Sequence, residues 1–78
     1  MAGEKIEVIA YAGHRAEESP RAFILQGKRV DVMKVLDQWI EENSVTREQK
    51  RFFKVKGSDF RNHTLCYDEA QLEWFNVT

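Results

Sequence analysis

Along most of this chain apolar and polar residues alternate, and the places where alternation fails are as informative as those where it holds. The segment KIEVIAY sets Ile6, Val8 and Ala10 against Lys5 and Glu7, the period of a half-buried strand, while Ile9 and Tyr11 imply a far end covered on both faces. The polar run AGHRAEESPR, closed by Pro20, reads as a loop. RFFKVK alternates again, with Phe53 and Val55 on one face and Phe52, Lys54 and Lys56 on the other. A turn-rich GSDFRN separates it from a further strand, HTLCYDE, and EAQL leads by a short turn into a last one, EWFNV.

The stretch RAFILQGKRVDVMKVLDQWI fits two patterns. A two-residue type II′ turn at Gly27 and Lys28 would place Leu25 opposite Val30 and Phe23 opposite Val32, joining the four in one apolar patch. Alternatively, Val32, Val35, Leu36, Trp39 and Ile40 make the stripe of an amphipathic helix that Asp31 could cap. Three features weigh against the helix: it would end on Glu41 and Glu42, the wrong sign for its dipole; it meets no Gly or Asn before Asn43; and it begins with β-branched residues. A strand from Arg29 to about Ile40 is therefore predicted, its change of apolar parity marking a bulge or sharp bend near Met33 and Lys34. The expected fold is all-β: a meander of five to six antiparallel strands, each next to its neighbour in sequence, forming a small half-open or closed barrel. Phe23, Leu25, Val30, Val32, Val35, Leu36, Phe53, Val55, Leu65 and at least one of Trp39 and Trp74 are expected in its core.

Length agrees with this picture, since 78 residues make one domain that must build its core from few side chains. The only cysteine, Cys66, excludes an intramolecular disulfide and a Cys-rich zinc site, which suits a reducing compartment. MAGEKIEVIA does not read as a leader peptide, and no segment approaches the roughly 20 apolar residues that span a bilayer. A soluble, cytoplasmic monomer is the expectation, without membrane contact.

The run EESPRAFILQGKRVDVMKVLDQWIE, the aromatic-basic strand after it and then YDEAQLEWF resemble a family of small bacterial domains of unknown function. The shared positions are Pro20, Phe23, Gly27, Val32, Val35, Leu36, Asp37, Trp39 and Trp74, and the resemblance covers the chain from about Glu17. It implies a fold of the same kind and, in some relatives, the company of translesion-type DNA polymerases. It implies no site residue.

Candidate chemistry is sparse. His14, His63 and Cys66 stand at no metal-binding spacing, and the glycines at 3, 13, 27 and 57 are too scattered for a phosphate-binding loop, so neither metal nor cofactor is expected. Cys66 reads as a small core side chain, and Asp37 as an outward-facing acid or a partner for Arg21. No nucleophile stands with a recognisable partner, and an enzyme is not expected. Charge supplies the remaining signal. From Arg47 to Arg61 six cations (Arg47, Lys50, Arg51, Lys54, Lys56, Arg61) meet two anions (Glu48, Asp59), a local +4 in a molecule of net −1. With Phe52 on the same strand face as Lys54 and Lys56, this segment is a candidate contact surface, although lysines on a strand also serve simply to prevent aggregation. The expected role is a binding or accessory module that takes up a protein partner through a strand edge or the Trp39 and Trp74 surface. The alternative is a module for single-stranded nucleic acid using the basic-aromatic face.

Overall fold

Residues Lys28 to Glu42 form one strand of 15 residues, with no helix in it. Fully extended it would run about 45–50 Å, longer than the molecule's greatest principal axis, 37 Å, and two register slips against its neighbour bend it. The computed structural model describes residues 3–10 and 19–77 and contains six strands: β1 (Glu4–Ala10), β2 (Pro20–Leu25), β3 (Lys28–Glu42), β4 (Gln49–Gly57), β5 (Asn62–Asp68) and β6 (Glu73–Asn76). Each pairs antiparallel with the next, and β6 returns to β1, where Lys5 faces Phe75, to close the barrel. Among the described residues no helix is long and apolar enough to cross a membrane.

Two strands change partners halfway along. The first half of β1 pairs with β6 and the second with β2; Lys28 to Asp31 of β3 pair with β2, and Val32 to Glu42 with β4. The two partners lie on opposite edges of each strand, so the offset is the stagger of a closed barrel, and β-bulges add a bend to β3. Between Val32 and Lys34 the register with β4 slips at Met33, where the change of parity predicts it, and it slips again at Leu36.

The β2–β3 turn differs from its expected form. Gln26 (φ 52°) and Gly27 (φ 79°) are both left-handed, and Leu25 faces Lys28, so the turn is of type I′ and begins one residue earlier than Gly27–Lys28. Phe23 therefore faces Val30 rather than Val32. A two-residue slip leaves strand faces unchanged, so Phe23 and Val30 still point inward.

The core lies where the two curved halves of the sheet meet. Phe23, Val55 and Leu65 are fully buried, with Ile6, Val30 and Phe53 around them and Val8, Leu25, Val32 and Trp74 at the margin. His63 joins it from β5, its ring edge-on to Phe23 at 5.0 Å. Gly57 makes room there: a Cβ would fall 2.6 Å from Val30 Cγ1 and 2.7 Å from Asp59 Oδ1. Its role is close approach within a strand rather than a turn.

Two expected core positions lie outside it. Val35 and Leu36 are 36% and 41% exposed, on the part of β3 that β2 no longer flanks and beside the register slips with β4; of the two tryptophans, at least one of which is expected inside, Trp74 packs against the core while Trp39, opposite Phe52, faces outward. Ile9 is exposed rather than covered. Tyr11, Gly13 and His14 lie outside the described residues.

Candidate functional site

Beyond Asp31, β3 and β4 form a long hairpin arm, with β3 at its open edge and β4 backed by β5 from Lys50 to Lys56. Its tip is a well-bonded loop: the Asn43 carboxamide oxygen accepts from the Val45 and Thr46 N–H groups, Arg47 donates from its backbone to the Asn43 carbonyl, and Arg47 itself adopts φ 65°. Among the described residues no strand pairs with β3 on the side away from β4 after Asp31. Along this stretch Met33 (68%), Leu36, Trp39 and Ile40 (58%) stand in solvent.

Register sorts the arm into two faces. Phe53 and Val55 point into the barrel, so Gln38 and Ile40, opposite Phe53 and Arg51, lie on the inner face. With Ser19 they border an open groove of about 450 Å³ at the barrel mouth. Tyr67 and Trp74 continue this inner row across β5 and β6, with ring centroids 4.9 Å apart.

On the outer face three cross-strand rows succeed one another. Lys34, Lys56 and Asn62 form the first; Asp37, Lys54 and Thr64 the second; Trp39, Phe52, Cys66 and Phe75 the third. The rings of Trp39 and Phe52 are parallel within 4° and 5.4 Å apart, and the Trp39 indole N–H donates to Glu41 Oε2 at 3.1 Å. Phe52 is half-buried, with the Trp39 ring stacked on it. Cys66, its cross-strand neighbour in this row, is buried. Burial pushes its thiol pKa up, Asp68 and Glu41 add to the shift and Lys50 opposes it, which leaves it a poor nucleophile.

The seven residues of the candidate basic face do not share one surface. Phe52, Lys54 and Lys56 lie on the outer face as alternation predicts, but Arg51 points inward, where its Nε donates to Glu69 Oε2 at 2.7 Å. Arg47 is at the arm's tip, and Arg61 is at the other end of β4, in the β4–β5 turn. Lys50 stands opposite Glu41 and Asp68, and Lys54 opposite Asp37. Carboxylates distant in sequence therefore dilute the local +4. Asp37 is exposed and accepts from the Gln38 N–H. A cation absent from the candidate set, Lys34, takes its place beside Lys56; only knowledge of the β3–β4 register could have revealed it.

A carboxylate and an imidazole also meet at the β4–β5 turn. His63 Nε2 lies 2.9 Å from Asp59 Oδ2, whose other oxygen accepts from the Arg61 N–H at 3.1 Å. Desolvation works to raise the Asp59 pKa, but the Arg61 N–H, the His63 bond and the His63 charge outweigh it and hold the carboxyl below its ordinary value. The pair braces the turn against the core. Among the described residues no three His, Cys, Asp or Glu side chains are grouped to hold a metal ion.

No protein-family model, curated protein or solved structure matches this chain. The site is therefore read from its geometry.

Proposed function

We propose that this chain is a non-enzymatic binding module that takes up a protein partner along the distal half of β3, as an extended segment added to the strand's open side. The observation that carries this reading is a strand whose second half, Val32 to Glu42, pairs only with β4 among the described residues while exposing Met33, Leu36, Trp39 and Ile40. Main-chain hydrogen bonds to such an edge supply affinity, and pockets for alternate side chains supply selectivity. The groove beside Ile40 offers one such pocket, with Gln38 as a polar group at its wall. The bulges at Met33 and Leu36 interrupt the edge near the barrel and leave Asp37 to Glu42 as its regular part.

The test is affinity capture from source cells with the wild-type chain and with Ile40→Asp. Any protein retained only by the wild type is then purified and titrated directly. A charge at residue 40 should weaken that binding at least tenfold while melting stays within a few degrees of wild type. Equal binding by both chains would refute the reading.

A further inference from the structure

The end of the outer face farthest from the arm's tip carries an arrangement that fold stability does not explain. Lys34 and Lys56 stand directly opposite one another on β3 and β4, a like-charge placement that destabilises a sheet. Both are exposed, and neither makes an ion pair among the described residues. Of the carboxylates three residues away in the chain, Asp31 is engaged by Arg29 Nε at 3.0 Å and Asp59 by His63, while Asp37 stands opposite Lys54 in the next row. Lys54 follows Lys56 along the same face, and Arg61 adjoins Asn62, the third member of the Lys34 row.

A second, independent oddity adjoins this cluster. Phe60 is 88% exposed and has φ 63°, a left-handed conformation that is uncommon for any residue but Gly and unfavourable for a bulky one. The turn holds it firmly: the Phe60 N–H donates to the Gly57 carbonyl at 3.0 Å, the Gly57 N–H to the Arg61 carbonyl at 2.8 Å, and the Ser58 N–H to the Asp31 carbonyl at 2.8 Å, while Ser58 Oγ accepts from the Asp31 N–H. An aromatic side chain is thus presented to water on a strained, hydrogen-bonded backbone, in the turn that follows Lys56 and one residue before Arg61. Asn would suit the backbone better and Lys or Ser the solvent.

From these two features we infer that Lys34, Lys56 and Arg61, with Phe60, form a contact site for single-stranded nucleic acid. Phosphates relieve the repulsion between the opposed lysines, and an unpaired base stacks on the Phe60 ring. Stacking needs no base-edge hydrogen bond, so the site is tolerant of sequence. It lies apart from the Trp39–Ile40 surface and stands or falls independently of the protein partner proposed above.

Fluorescence anisotropy with a labelled mixed-sequence single strand of about ten nucleotides, at about 50 mM salt, tests this on the whole chain. Binding should weaken with salt at a log–log slope of magnitude about 2, since each single-strand phosphate contributes roughly 0.7 and three cations are available. Lys34→Thr should lower affinity and slope together and yet raise the melting temperature, because it removes the like-charge opposition. Phe60→Asn should weaken binding roughly 5- to 100-fold with the slope unchanged and the fold at least as stable. Arg47→Ala, at the arm's tip, should change little. Inorganic polyphosphate, which has charge and no bases, should bind wild type and Phe60→Asn alike. No oligonucleotide binding up to high micromolar protein would overturn the proposal. So would oligonucleotide affinity insensitive to Phe60→Asn, or equal loss in Arg47→Ala.

Discussion

The half of β3 that pairs with β2 and the half that pairs with β4 are continuous in the chain but differ in what surrounds them. In the first, Val30 is buried against Phe23 and the ladder closes over a core. In the second, apolar residues of similar size, Val35, Leu36 and Ile40, stand at 36–58% exposure. Nothing in the side chains themselves separates these groups. What differs is whether another layer lies across the inner face, and that ends where β3 parts from β2. Apolar surface withdrawn from water stabilises by roughly 25 cal/mol per Å², so the first half holds the fold together while the second leaves apolar surface in water.

The comparison would break most visibly at Phe23. Phe23→Ala should cost about 3–5 kcal/mol in urea unfolding, a large part of the ~5–15 kcal/mol that stabilises a domain. Truncating Ile40 to Ser, by contrast, should cost under ~1 kcal/mol, in the range of surface substitutions. Similar losses at the two positions would show that the arm is part of the cooperative core.

Two glycines sharpen the contrast. Gly57→Ala should cost about 1–3 kcal/mol, because the new methyl meets Val30 and Asp59 inside a packed region. Gly27→Ala meets nothing within 4 Å and should cost about 1–2 kcal/mol from its left-handed backbone alone. Replacing Gly27 with Asn, which tolerates that conformation, should recover most of the loss, whereas Gly57→Asn should be worse than Gly57→Ala. Thermal melts of the four variants decide this.

Smaller effects follow from titration. Asp59 has a depressed pKa in the folded chain, so its contribution to stability is present above the unfolded carboxylate value, roughly 3.9, and is lost as pH falls through the lower folded value. Urea melts of Asp59→Asn should show less acid destabilisation than wild type between about pH 4 and pH 2, and equal curves would disconnect the Asp59–His63 brace from acid stability. The raised thiol of Cys66 runs the other way. Its contribution is present below the unfolded value, about 8.5, and declines as pH rises through the higher folded one. Cys66 should therefore react with a disulfide reagent far more slowly in the native chain than in urea, and rapid native labelling would show that the thiol is open to solvent.

Much of the fold is legible in local pattern. Alternation at RFFKVK and HTLCYDE fixes which residues point inward, because side chains on a strand change face at every residue. The parity change after Val32 marks a bend for the same reason. The turn at Gln26–Gly27 is harder to read, since a Gly suits both type I′ and type II′ and the two registers place the same residues on the same face. The candidate basic face is legible only in part. Phe52, Lys54 and Lys56 keep their face and the same alternation turns Arg51 inward, while Lys34's place beside Lys56 and Phe60's exposure depend on which strands meet and where they end.

By itself, then, the order of polar and apolar residues determined an all-β chain of five short-range pairings with Phe23, Val30, Phe53, Val55 and Leu65 inside, because strand periodicity and hairpin connection are local properties. Three things were decided only in the tertiary structure. Closure of β6 onto β1 joins the two ends of the chain. The β3–β4 register, through its two bulges, sets Lys34 against Lys56 and Asp37 and Glu41 against Lys54 and Lys50. The length by which β3 outruns β2 leaves Ile40 exposed on the inner face. Each depends on contacts between residues far apart in sequence, and burial and electrostatic pairing are properties of that spatial neighbourhood rather than of the residue that experiences them.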